Sequence, residues 1–156
     1  MIILTGYNGF IGQAFLKKLD PENVYRVEAE GAFKFLEEYE DWDKVEMIIH
    51  QGAISSTTET DIDKIYQYNI KFSIELFKKA IEYSIPVKYA SSASVYGRIH
   101  SEFGYMKQTI NPLNFYALSK ATVDYWVQDH MDEFELFKDS DTLMYMEKVK
   151  LIKVIK

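Results

Sequence analysis

The chain has 156 residues with 18 basic and 24 acidic side chains, a net charge of −6, no cysteine and 47% hydrophobic residues. That length fits a single domain with a core of its own, and the acidic balance argues against nucleic acid, whose phosphates call for a basic face. Without cysteine there is no disulfide framework and no thiolate metal site, and no apolar run approaches the roughly 18–20 residues needed to span a bilayer.

Apolar segments of two periods alternate along the chain, the pattern of an α/β fold on a parallel sheet. Residues 1–5 are a continuous apolar run ending at Gly6, as a buried parallel strand is. The run lacks a basic start and breaks too early for a secretory leader, so a cytoplasmic protein is expected. Residues 10–19 read as a helix with Phe10, Ala14, Phe15 and Leu19 on one face and Pro21 beyond it. A strand over 24–28, a short helix over 33–39 and a buried strand over 45–50 follow. The spacing of Ile65, Asn69, Phe72, Leu76, Ala80 and Tyr83 predicts a helix over 62–83, stopped by Pro86. A strand over 87–91, an aromatic-rich helix over 114–137 and a final strand over 149–155 complete the pattern. With no repeat and no linker, one domain over 1–156 is expected.

The first chemical signal is the turn from Thr5 to Gly12, with glycines at 6, 9 and 12 between a strand and a helix. A diphosphate needs backbone N–H groups aimed at it and the positive end of a helix dipole. Gly6 permits the tight turn, Gly9 the close backbone approach, and Gly12 the packing of helix on sheet. An ordinary glycine turn would look similar, but the strand before it and the helix after it favour a dinucleotide fingerprint.

Tyr116 and Lys120 are four apart, which on a helix stacks phenol and ammonium on one face. A nearby cation favours phenolate, so Tyr116 becomes a general base for a hydroxyl and an acid in reverse. Among 12 tyrosines such a pair also arises by chance, and Tyr66 or Tyr83 serves as well by spacing. Ser91, Ser92 and Ser94 follow a buried strand, at the sheet edge where α/β folds bind ligands. A serine there can hydrogen-bond a reacting oxygen, or be no more than a polar exit from the strand.

Order and spacing together carry more. Thr5-Gly6…Gly9-Phe10-Ile11-Gly12, then His50-Gln51-Gly52-Ala53, then Ser91-Ser92-Ala93-Ser94-Val95-Tyr96-Gly97, then Pro112-Leu113-Asn114-Phe115-Tyr116…Lys120 stand in series. The series resembles the extended short-chain dehydrogenase/reductase family, the NAD(P)-dependent sugar-nucleotide epimerases and dehydratases. Within it, residues 51–59 are most similar to the ADP-heptose epimerases. The resemblance implies a Rossmann-type doubly wound parallel sheet, an NAD or NADP cofactor and a nucleotide-sugar substrate. It implies Tyr116 as acid/base, Lys120 as its partner and ribose ligand, and Ser92 as hydroxyl donor. It places Phe10 and Ile11 under the diphosphate, Gln51, Gly52, Ala53, Ile54 and Ser55 along the cofactor, and Asn69 near the same groove. Dehydratases of the family carry an acidic pair after the serine; Ala93-Ser94-Val95 disfavours that branch.

Two departures qualify the resemblance. About 22 residues separate Glu28 from His50, fewer than the family uses, so a shortened sheet lacking one strand is expected. Glu28 ends the second strand about 20 residues after the first glycine, where an acid holds the ribose 2′-hydroxyl and favours NAD; a plain surface glutamate is the other reading. After Lys120 the family continues into a substrate lobe that has no counterpart here. A catalytically inactive dinucleotide-binding or partner-binding fragment is therefore the alternative, and a homodimer or a complementary second chain would complete the site. His50, His100 and His130 are scattered, so no metal is expected. The alternating lysines of 148–156 read as a guarded strand edge rather than a membrane or nucleic-acid patch. Tyr125, Trp126, Met131 and Phe134 suit either a helix-pair dimer interface or core packing.

Overall fold

The computed structural model describes residues 1–98 and 110–133. Four parallel strands form one sheet: β1 (Ile2–Thr5), β2 (Val24–Val27), β3 (Met47–His50) and β4 (Val87–Tyr89), in the order β2-β1-β3-β4. Thr5 pairs in register with Val27 on one side and His50 on the other, so the strand ends line up in a row. No strand lies between β2 and β3 in sequence; residues 29–46 instead hold a short helix, α2 (Ala32–Glu38), between single 3₁₀ turns. The sheet is thus Rossmann-like and shortened at the β2 side, among the described residues, as the short spacing from Glu28 to His50 predicts.

Strand composition explains the layers. Ile3 and Ile48 join Val27, Val87 and Tyr89 in a core closed by Phe35 of α2 and by Phe72, Leu76 and Phe77 of α4 (Phe72–Glu82). Val123 and Val127 of α5 (Phe115–Asp129) complete it. Leu4 and Ile49, next in sequence, are equally buried but lie outside this cluster, as alternation across a strand requires. Strands buried on both faces read as continuous apolar runs, which is why they were visible in sequence.

Several boundaries differ from the periodicity. The first helix, α1, covers Phe10–Leu16 and stops before Leu19. Gly12 is its buried residue, whereas Phe10, expected on the buried face, is 81% exposed because the helix opens at the sheet edge and not over the core. The expected helix over 62–83 is three pieces: α3 (Ile62–Ile65), a π turn (Tyr66–Lys71) and α4. Asp61 caps α3 through the Lys64 N–H at 2.9 Å. At the far end α4 closes on Ser84 in a left-handed conformation, φ 52°, with the Ile85 N–H donating to the Ala80 carbonyl at 2.8 Å. Tyr83, placed on the apolar face by spacing, is exposed because the helix has already ended. Asn114 caps α5 through the Ala117 N–H at 2.8 Å. Trp126 packs against the core and stacks on His130 at 4.0 Å, while Met131 is exposed. Residues 134–137 of the expected long helix with Phe134, the expected strand over 149–155 with the lysine tail, and His100 lie outside the described residues. No helix among the described residues is long and apolar enough to cross a membrane.

Candidate functional site

The C-terminal ends of the four strands open on a cleft of about 400 Å³. Its walls are the glycine turn, the ends of β1 and β2, the loop after β3, the loop after β4 and the start of α5. In parallel α/β sheets this edge is where ligands bind, because the crossovers leave a crevice there.

The glycine turn is shaped by two steric demands. Gly6 has φ +68°, and a Cβ there would lie 2.6 Å from the Gly52 backbone. A Cβ on Gly12 would lie 2.2 Å from the Gly6 carbonyl oxygen. Gly9 differs: its nearest neighbour would be the Gly6 oxygen at 3.4 Å, an ordinary contact. Protein packing therefore requires glycine at 6 and 12, whereas at 9 a side chain would stand over the cleft that Gly9 lines. Gly9 also caps α1 with no side-chain bond to its first N–H groups. The turn is tied to β2 by Glu28, whose Oε1 accepts from the Asn8 N–H at 2.7 Å. Gly6, Gly9, Phe10, Ile11, Gly12 and Glu28 all line the cleft.

The facing wall, Gln51, Gly52, Ala53, Ile54 and Ser55, has no ladder partner and is held by side chains. Gly52 N–H donates to Thr5 Oγ1 at 3.0 Å. Ile54 is clamped twice by Asn69, whose Oδ1 accepts from its N–H at 2.7 Å and whose Nδ2 donates to its carbonyl at 3.0 Å. Asn69 also donates to Ser119 Oγ at 2.9 Å and is fully buried. It is absent from the cleft wall. Its amide is spent on the protein, so it shapes the wall without facing into it.

Tyr116 and Lys120 stand together on the third wall. Lys120 is 5% exposed, and its Nζ donates to the Ala90 carbonyl just after β4 at 3.0 Å. One turn on, the buried Asp124 accepts from Tyr89 Oη at 2.7 Å and from Ser91 Oγ. Ser91 lines the cleft; Ser92 does not. Ser92 Oγ accepts from the Ser94 N–H at 3.2 Å and shares a hydrogen with Ser94 Oγ at 2.8 Å, capping a 3₁₀ turn. Its hydroxyl is thus turned into its own loop, because that turn needs a cap.

The sequence reasoning passed over Thr5, Val27, Ala29, Ala32, Tyr68, Phe72, Ala90 and Ser91, which also line the cleft. Thr5, Val27, Ala90 and Ser91 end or follow strands, so the sheet-edge rule could have found them. Tyr68 and Phe72 reach the cleft from the π turn and the residue after it, which no 3.6-residue period reveals. His50, at the end of β3, is fully buried and its pKa is pushed down to about 3, first by desolvation and then by the Lys120 charge. Among the described residues no group of His, Asp and Glu side chains converges as a metal site would.

The model of the NAD dependent epimerase/dehydratase family matches residues 2–138. The chain belongs to that family. Its fold is similar to that of ADP-L-glycero-D-manno-heptose-6-epimerase from Helicobacter pylori, at 22% identity and a TM-score of 0.65 over 83% of this chain and 50% of that one. It is similar to UDP-N-acetylglucosamine 4-epimerase from Methanobrevibacter ruminantium, at 21% and 0.70 over 85% and 51%. UDP-glucose 4-epimerase from Thermus thermophilus, solved with NAD, gives 18% and 0.66 over 85% and 51%. The chain spans about half the length of these proteins.

Proposed function

We propose that residues 1–156 are the cofactor-binding Rossmann domain of a sugar-nucleotide epimerase, acting by transient oxidation at a sugar carbon. The observation that carries this reading is the single cleft in which a glycine turn, Glu28, the 51–55 loop, Tyr116 and Lys120 all meet. The space over Gly9, which a Cβ would fill, suits a diphosphate laid across Gly6, Gly9 and Gly12. Glu28 has one carboxylate oxygen on Asn8 and offers the other to a ribose hydroxyl. Its negative charge repels a 2′-phosphate, so NAD is favoured over NADP.

Bound there, the nicotinamide supplies acceptance and return of hydride. Tyr116 takes the proton of the sugar hydroxyl and returns it, and the Lys120 charge supports its phenolate. Ser92 is the hydroxyl donor in this reading and must turn from Ser94 to serve. Among epimerases, the similarity of residues 51–59 favours an ADP-heptose substrate, and the segments that grip the nucleotide sugar come from another part of the protein or a partner chain. A second reading rests on the same serines: with Ser92 turned to Ser94 and Ser91 to Asp124, the domain binds a dinucleotide without catalysis.

Calorimetric titration with NAD and NADP, then proton NMR of ADP-heptose or UDP-sugar incubated with protein and cofactor, separates these. Binding with inversion supports the first reading and binding without inversion the second. Failure to bind either dinucleotide overturns both.

A further inference from the structure

Behind the cleft, five groups form a buried hydrogen-bond chain with one consistent direction. Ser73 Oγ donates its single proton to the Asn69 carbonyl at 2.7 Å. At 2.8 Å the same oxygen meets His50 Nε2, so the imidazole nitrogen must be the donor there. A neutral ring then leaves Nδ1 bare, and Nδ1 accepts from the Thr5 hydroxyl at 2.6 Å. Thr5 Oγ1 in turn accepts from the Gly52 N–H at 3.0 Å. Thr5, His50, Asn69 and Ser73 are all buried, and Phe72 and Phe77 stand edge-on to the imidazole at 5.8 and 5.6 Å. The low pKa of His50 keeps the ring neutral, as the chain requires.

The opposite tautomer would aim Nδ1–H at Thr5 and a bare Nε2 at Ser73. Ser73 could satisfy it only by abandoning the Asn69 carbonyl, leaving a buried acceptor unpaired. The arrangement therefore has a single favourable polarity. Its two ends matter for the cleft: Gly52 is part of the wall, and Asn69 clamps Ile54 two residues on. His50 itself is absent from the wall.

We propose that His50 is a positioning residue of the dinucleotide cleft, its Nε2–H tautomer directing the chain that anchors Gly52, and with it the 51–55 wall, to Asn69. The proposal rests on the reading of the cleft as a dinucleotide site. It assigns His50 no contact with cofactor or substrate; it acts through Thr5 and Gly52.

The test uses ¹⁵N-histidine-labelled protein, where ring-nitrogen NMR reports the tautomer directly. A neutral Nε2–H ring for His50 is expected; an Nδ1–H or charged ring at pH 7 overturns the proposal. Ser73→Ala removes the acceptor of Nε2–H without touching the cleft. It is expected to weaken NAD binding about fivefold, with recovery in Ser73→Thr, which restores the hydroxyl. Equal affinity in wild type and a folded Ser73→Ala overturns the proposal. Hydrogen exchange at the Gly52 amide separates the two levels: should wild type bind no dinucleotide, the reading of the cleft fails. Faster Gly52 exchange in Ser73→Ala would still uphold the chain, and unchanged exchange would refute it. Where Ser73→Ala does not fold, His50→Gln takes its place, keeping a donor at the Nε2 position and losing the acceptor at Nδ1. Unchanged Gly52 exchange there also refutes the chain.

Discussion

Replacing Gly9 by alanine separates what the glycine turn does for the fold from what it does for a ligand. Gly9 sits at φ −71° and ψ 165°, a conformation open to any residue, and its Cβ would meet only the Gly6 oxygen, at 3.4 Å. Loss of backbone freedom in the unfolded chain favours alanine by about 0.4–1 kcal/mol. Alanine is a poorer helix cap than glycine by a comparable amount, about 0.5–1 kcal/mol. The two nearly cancel, so urea denaturation should find stability unchanged within about 0.5 kcal/mol. Binding is another matter. The methyl stands over the cleft and keeps a diphosphate from the backbone N–H groups, each such bond to a charged oxygen being worth about 1.5–3 kcal/mol. NAD affinity measured by calorimetry should fall by about 10- to 100-fold. Gly12→Ala is the contrasting control: with its Cβ 2.2 Å from the Gly6 oxygen and 2.6 Å from Tyr7 Cα, it must shift the turn and cost about 1–3 kcal/mol of stability. Undiminished NAD affinity in Gly9→Ala would refute the cradle, and equal stability losses in the two variants would refute the steric reasoning.

Ser84→Gly should raise stability by about 0.5 kcal/mol in urea, since relief of a left-handed φ exceeds the entropy cost of glycine. Asp124→Ala strands the Tyr89 and Ser91 hydroxyls in a buried site and should cost about 2–4 kcal/mol by the same measurement. His50 supplies a pH dependence: the unfolded chain takes its proton near 6.5 while the fold refuses it down to about 3. Stability present above pH 6.5 is therefore lost as the pH falls toward 3, by about 2 kcal/mol between pH 7 and 5. His50→Gln should lack that component, and identical pH slopes in the two proteins would contradict it.

What could be read in the sequence follows from how local each cause is. The strands were legible because both their faces are buried, so Ile2–Thr5 and Met47–His50 are unbroken apolar runs. Gly6, Gly9 and Gly12 were legible because their spacing between strand and helix has few other uses. The loss of a strand between β2 and β3 followed from a simple count of residues. Non-local causes stayed hidden. The π turn at Tyr66–Lys71 leaves Ile65, Asn69, Phe72, Leu76 and Ala80 all buried, so an uninterrupted helix predicts the same apolar stripe. Asn69 could be placed near the groove but not behind its wall, since that depends on Ile54 and Ser119, 15 and 50 residues away. Ser91 and Ser92 are adjacent and chemically alike; their different orientations come from Asp124 on α5 and from a local cap.

Asn69 links the walls of the cleft. Its carboxamide fixes Ile54, its carbonyl anchors the chain through Ser73, His50 and Thr5 to Gly52, and its Nδ2 holds Ser119. Ser119 in turn donates to the Tyr116 carbonyl at 2.7 Å, on the helix that carries Lys120. The 51–55 wall and the Tyr116–Lys120 wall are therefore spaced by one fully buried amide rather than by contact with each other. A loop without ladder bonds and a helix that could slide are the two parts of the cleft most free to drift. A π turn widens the helix locally, and here its one buried residue, Asn69, is the one that serves both walls. Whatever occupies the cleft meets a gap set from behind, by a polar network with every buried side-chain polar atom paired among the described residues.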